Sequence, residues 1–163
     1  MDYREKDYKV FELYSSGMAL ACAGSIDDYN CCTIGWGSLG NIWGHERGIV
    51  TIYINPDRYT WEFCMKKDYF TVTFYDDEYR DDMRILGTKS GRDGDKVALT
   101  KLTPVALGEA VGFKEAKLTF VCKKLYQGEF QREGLADNIN NGIYANWRPH
   151  YMFVGEIIEA IEK

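Results

Sequence analysis

Apolar and polar positions alternate with a period of two along most of this chain, and only two stretches carry helical spacing. Met18–Ala23 is a short apolar run closed by Gly24 and Asp27-Asp28, as expected for a buried strand entering a turn. Cys31–Ser38 reads as a second strand, unusual in holding Gly35 and Gly37. A glycine inside a strand weakens it and often marks a place where a ligand approaches the backbone. Trp43–Gly48 reads as a loop, and Ile49–Ile54 as a strand of β-branched and aromatic residues stopped by Asn55-Pro56.

Thr60 is placed to cap a short helix running to Lys67, with Glu62 in its first turn and Lys66 and Lys67 in its last. Phe70, Val72 and Phe74 alternate with polar residues, so Tyr69–Phe74 is expected to be a half-buried strand. Tyr79, Met83 and Leu86 recur at helical spacing with Gly87 as the stop, and the acidic residues from Asp76 to Asp82 read as a solvated face. Lys117–Cys122 alternates again. Gln127–Pro149 is an irregular excursion rich in Gly, Asn and Arg, and Tyr151–Ile161 is the final strand. Six or seven short strands with two short helices describe a mostly β protein, either a barrel or a sandwich.

The 163 residues fit a single domain, 1–163, with a core large enough to need no staples. The abundance of tyrosine, 12 in all, leans the composition further toward strands. A net charge of −5 argues against nucleic acid as a partner, since that role needs a basic face. Any anionic ligand must then be held by a local cluster of cations. No apolar run reaches the roughly 20 residues of a membrane-spanning helix, so no membrane partner is expected. The charged start, Met1–Asp7, is unlike a secretory signal. Five cysteines without CxxC spacing suggest neither disulfides nor a metal site, and place the chain in a reducing cytoplasm with Cys22, Cys64 and Cys122 in the core.

Three segments carry candidate chemistry: Tyr29-Asn30-Cys31-Cys32-Thr33-Ile34-Gly35-Trp36-Gly37, Arg58-Tyr59-Thr60, and Ser90-Gly91-Arg92-Asp93-Gly94-Asp95-Lys96. Each combines small residues, hydroxyls and fixed cations, which suit a phosphate and a flat polar ring. Arg58 follows a strand and Thr60 opens a helix, whose N-terminus attracts anions. Each segment also has an ordinary reading: in turn, a strand with a glycine bulge and a core tryptophan, a cap with a surface ion pair, and a polar turn in which Asp93 and Asp95 pair Arg92 and Lys96. Ser90–Lys96 fails as a GxxxxGK phosphate loop because its spacing is wrong and no helix follows. The only histidines are His45, which is assigned no role, and His150. A hydrolytic triad is not supported.

In this order and separation the three segments resemble the flavin reductase-like, flavoredoxin-like family, which binds FMN on a split β-barrel. His150-Tyr151-Met152-Phe153-Val154-Gly155-Glu156-Ile157 resembles that family's last barrel strand, so the resemblance spans about residues 15 to 160. It implies that Asn30, Cys32, Thr33, Ile34, Gly35, Trp36 and Gly37 run along the flavin. It also places Arg58, Tyr59, Thr60, Ser90, Arg92 and Lys96 near the phosphate or the cofactor's edge, and His150 at the catalytic face. Cys31-Cys32 departs from the usual small or apolar pair, and only one of two neighbours on a strand can face the ring. The implied function is an oxidoreductase that passes a hydride from NADH or NADPH to flavin, as a homodimer, with free flavin or a protein as electron acceptor. The rival is a non-enzymatic FMN-binding electron carrier; a more distant one is an oxidase of the pyridoxamine-phosphate type, since fold does not fix function.

Overall fold

The computed structural model describes residues 1–163. A short helix α1 (Val10–Ser15) precedes four strands, β1 (Ala19–Ser25), β2 (Asp28–Ile34), β3 (Gly37–Asn41) and β4 (Gly48–Ile54). Helix α2 (Tyr59–Lys66), strand β5 (Tyr69–Phe74) and helix α3 (Arg80–Thr88) follow. A hairpin of β6 (Pro104–Leu107) and β7 (Ala110–Phe113) leads to the long strand β8 (Leu118–Glu129). An irregular segment with a helical turn, α4 (Asp137–Asn140), connects it to β9 (Tyr151–Glu162).

Seven strands form one antiparallel sheet in the order β2-β1-β5-β8-β9-β4-β3. The two edge strands, β2 and β3, are consecutive in the chain and joined only by Gly35-Trp36. Three residue steps span at most about 11 Å, so the sheet must curl until its edges nearly meet. Register shifts between Val121 and Cys122 and between Lys124 and Tyr126 bend β8 against β9, as bulges do where a sheet coils. The result is a barrel closed by the covalent chain rather than by a last ladder of hydrogen bonds.

Phe70, Val72, Phe74, Phe120, Val50, Ile52 and Phe153 fill the barrel. A second core, with Leu20, Cys22, Cys31, Met83, Leu86, Val111 and Phe113, packs α3 and the β6–β7 hairpin on the outer face of the sheet. This second layer explains why β5 is buried on both faces and not half-buried as its alternation suggests. Its polar residues find partners there: Thr71 Oγ1 donates to Val111 O at 2.6 Å, and Thr73 Oγ1 lies 2.9 Å from Tyr75 Oη. All five cysteines are buried and free.

Other expectations need correction. The strand read as Cys31–Ser38 is two strands, broken at Gly35-Trp36 where the chain crosses between sheet edges. There are nine strands and four helices, because α1, α4 and the β6–β7 hairpin are too short to carry a clear period. Gly87 lies inside α3 and does not end it. Asp82 is buried on the inner side of that helix, where Oδ1 accepts from Lys101 N at 3.2 Å, so the acidic face is only partly solvated.

Gly155 sits where β9 crosses the barrel interior, and a Cβ there would lie 2.5 Å from Phe70 Cζ and 2.8 Å from Cys122 Cβ. The cysteine carbon is fixed to its backbone and cannot withdraw. Gly155→Ala is therefore expected to destabilise the fold by about 1–3 kcal/mol through overpacking. A lowered urea midpoint at unchanged m-value is the readout; an unchanged midpoint would show that Phe70 moves aside freely.

Candidate functional site

The seam between the sheet edges opens into a cleft of about 170 Å³. Cys32, Thr33 and Ile34 at the end of β2, the Gly35-Trp36 link, the end of β4 and Arg58 line it, with Trp147 and His150 on the far side. A smaller recess of about 60 Å³ shares Cys32 and Arg58 with the cleft. It lies between the start of α2, including Tyr59 and Thr60, and the segment after α3, with Lys89, Ser90, Gly91 and Lys96.

The recess gathers three cations, Arg58, Lys89 and Lys96, around one carboxylate, that of Asp57. Lys96 is buried at 6% exposure and donates to Leu86 O at 2.9 Å and Lys89 O at 3.1 Å. These carbonyls lie at the C-terminal end of α3, where the helix leaves them unpaired. Arg58 Nη1 donates to Gly87 O at 3.0 Å. None of Lys96, Arg58 and Lys89 is in an ion pair. The N-cap of α2 is Arg58, without a side-chain cap, and not Thr60 as its residue type suggests. The Thr60 side chain instead turns inward, accepting from Asn30 Nδ2 at 2.7 Å.

Three further candidates, Asn30, Arg92 and Gly37, line neither the recess nor the cleft. Asn30 stands behind the recess, bonded to Thr60 and packed so closely on Gly91 that a Cβ at residue 91 would overlap the Asn30 amide. The Arg92 guanidinium lies over the Tyr59 ring, 4.8 Å from its centroid, and pairs with Glu62. Neither Asp93 nor Asp95 pairs with Arg92 or Lys96, contrary to the polar-turn reading. Gly37 faces Tyr14, whose ring occupies the space a Cβ would need. Ser90 lines the recess, and its Oγ accepts from Arg92 N at 3.2 Å.

In the cleft itself, the Thr33 hydroxyl is already spent: it donates to Met83 O of α3 at 2.5 Å, so it is not the free donor expected. Cys32 faces the cleft while Cys31 turns to the outer core beside Cys22. Burial raises the Cys32 pKa, so the group is a thiol at neutral pH. His150 is buried between two indoles, with ring centroids 4.5 Å from Trp36 and 4.7 Å from Trp147. Its Nδ1 is 2.9 Å from Tyr144 Oη. Burial, and secondarily the Arg58 cation, push its pKa down to about 4.

Sequence reasoning missed Asn55, Lys89, Tyr144 and Trp147. Asn55 does more than stop a strand: its Nδ2 donates to Arg148 O at 2.7 Å and its Oδ1 accepts from Asp57 N at 3.0 Å. Trp147 Nε1 reaches Asp57 Oδ2 at 3.3 Å. The only signal for these contacts was an isolated aromatic in a segment without periodicity.

A curled seven-stranded sheet with an open seam is a split β-barrel, the class named for one of the solved structures it resembles. The chain belongs to the flavin reductase-like family: the model of the flavin reductase like domain matches residues 11–163. It is similar to flavoredoxin from Methanosarcina acetivorans, at 24% identity over 98% of this chain and 76% of that one, with a TM-score of 0.70. An FMN-binding protein from Thermus thermophilus with bound p-hydroxybenzaldehyde has a TM-score of 0.69 at 20% identity, over 100% and 82% of the two chains. The Streptomyces globisporus C-1027 NADH:FAD oxidoreductase, in complex with NAD and FAD fragments, has a TM-score of 0.65 at 15% identity, over 90% and 74%. These structures share its fold. No curated protein matches the chain in sequence.

The environment of His150 sets a pH dependence. An unfolded imidazole titrates near 6.5 and the folded one near 4, so between those values the unfolded chain binds more protons. Stability is then expected to fall as pH drops from about 6.5 toward 4, with no contribution from this group at pH 7 or above. Urea midpoints of wild type and His150→Gln across pH 4–7 isolate the effect, the variant showing the shallower decline. Parallel declines would mean that His150 titrates normally in the fold.

Proposed function

We propose that the chain binds FMN, with the phosphate in the recess and the ring in the cleft, and serves as an NAD(P)H-dependent oxidoreductase. The observation that carries this reading is Lys96: an ammonium at 6% exposure with no carboxylate partner, in a protein of net charge −5. A buried unpaired charge is unfavourable unless a counter-charge is supplied. Arg58 and Lys89 beside it, the Ser90 hydroxyl and the uncapped start of α2 complete an arrangement suited to a phosphate dianion. Family membership supports flavin as the group that brings it. The residues fit the group: the recess offers cations and N–H donors, and the cleft offers flat indoles, an apolar Ile34 wall and unpaired backbone at Gly35-Trp36.

When bound, the flavin supplies the hydride and single-electron chemistry that side chains lack. The chain's share is to bind, orient and shield. Arg58 stands at the junction of cleft and recess and also helps keep His150 neutral. Trp36, Trp147 and His150 line the cleft but not the recess, and a nicotinamide would approach beside them. The neighbour holding NAD and FAD fragments supports a pyridine nucleotide as co-substrate. A homodimer is part of the same reading, with the Gln127–Pro149 excursion as an arm for the partner, although its later part folds back on its own cleft through Tyr144 and Trp147.

Arg58→Ala is expected to weaken FMN binding by about ten- to a hundredfold, the loss of one charge-assisted contact. Riboflavin, which has no phosphate, should bind wild type and variant alike. Fluorescence titration of both ligands is the measurement, and equal weakening of the two would remove Arg58 from the phosphate.

With FMN bound, anaerobic NADH or NADPH should bleach the flavin absorbance within seconds, and dithionite should do so regardless. Bleaching by dithionite alone, with neither nucleotide acting over many minutes, would leave the electron-carrier reading in place of the reductase.

A further inference from the structure

The excursion between β8 and β9 places a second side chain in charge of His150. Tyr144 is buried, at 4% exposure, and its hydroxyl has two partners, both on the same residue. The backbone N–H of His150 points at Tyr144 Oη from 3.5 Å, and the His150 ring nitrogen Nδ1 lies 2.9 Å away. A hydroxyl carries one proton. Since the backbone N–H can only donate, the hydroxyl accepts there, and the one acceptor within reach of its own proton is Nδ1. If Nδ1 carried the hydrogen instead, the hydroxyl would receive two donors while its own proton stayed buried without a partner, an unfavourable arrangement.

We infer that Tyr144 is a positioning residue that fixes neutral His150 as the Nε2–H tautomer, so that the imidazole offers the cleft a hydrogen-bond donor and not an acceptor. Nε2 has no hydrogen-bond partner in the protein and is not among its sealed polar atoms, while the ring lines the cleft. The N–H therefore opens where a ligand sits. It suits an acceptor atom of a ring system, a carbonyl oxygen or a pyridine-type nitrogen.

The device is anchored by a residue that does not line the cleft. Arg132 Nη1 donates to Tyr144 O at 3.0 Å and to Asn140 Oδ1 at 2.8 Å, and its Nη2 to Trp147 O at 3.2 Å. One guanidinium thus ties down both the residue that bonds His150 and the indole packed against it. Trp36 on the opposite side completes the clamp on the ring.

The inference rests on the flavin reading only for what the donor meets, and it is tested first without any ligand. Long-range proton–nitrogen correlation spectra of histidine-labelled chain at pH 7 should show His150 with a protonated Nε2 and a bare Nδ1. A protonated Nδ1, or the averaged signals of a freely exchanging imidazole, would overturn the assignment. Tyr144→Phe keeps the ring and removes only the hydroxyl; its His150 signals should move toward the averaged pattern while the melting temperature stays near wild type. Retention of the pure Nε2–H pattern in that variant would remove Tyr144 from the role. If Tyr144→Phe does not fold, Arg132→Lys, which loses the fork but keeps the charge, is the second variant, expected to broaden or average the same signals; unaltered signals there would overturn the anchoring. Adding FMN to wild type should shift the Nε2 proton resonance, and binding of FMN without that shift would show that the donor does not face the ligand. Failure of FMN to bind at all would sink the flavin reading while leaving the tautomer assignment as measured.

Discussion

Covalent continuity between β2 and β3 governs this molecule. Two residues, Gly35 and Trp36, connect strands at opposite edges of a seven-stranded sheet, and no arrangement satisfies that tether unless the sheet rolls up. Everything at the seam follows from it. The edge strands are brought near each other without pairing, so backbone groups there remain available where other barrels have used them in a ladder. The cleft is the space left by that incomplete closure. Its walls are the ends of β2 and β4, and its far side is supplied by the excursion before β9.

Charge is distributed on the same plan. The overall field of the chain is negative, yet the recess joined to the seam collects three cations, none of them in an ion pair, around the single carboxylate of Asp57. Lys96 is fixed by carbonyls at the end of α3, so one helix terminus orients the ammonium while another, the start of α2, presents its N–H groups to the same space. Helix α3 lies on the outer face of β2, while α2 packs Cys64 into the barrel core against β1 and β2, and the two together bound the recess. Placement of charge by helix ends, rather than by long flexible side chains alone, keeps the site preorganised.

Much of this was legible in the residues. Strands β1, β4, β5 and β9 have boundaries within a residue or two of those the pattern predicts, because each is an apolar or alternating run with Gly, Pro, Asn or Asp close to at least one end. Arg58, Thr60, Ser90 and Lys96 do converge. What alternation cannot report is a second layer, so β5 looked half-solvated until the β6–β7 hairpin was seen to cover it. Nor can residue type distinguish a hydroxyl that is free from one already engaged. Thr33 and Thr60 are both at the site, and both turn their oxygens to protein partners. Arg92 carried the right charge in the right segment but is held by Glu62 and Tyr59, and that distinction is purely three-dimensional.

The five thiols have a consequence for how the molecule meets reagents. All are buried in the two cores, Cys32 with its side chain at the cleft, and burial raises the pKa of Cys22, Cys32, Cys64 and Cys122, so none of those four presents a thiolate to solvent. An alkylating agent can reach Cys22, Cys31, Cys64 and Cys122 only through an opening of the barrel or of its outer layer. The pace of their labelling therefore acts as a clock for those openings, and because Cys31 and Cys22 sit in one core and Cys64 and Cys122 in the other, the order of labelling tells which layer parts first.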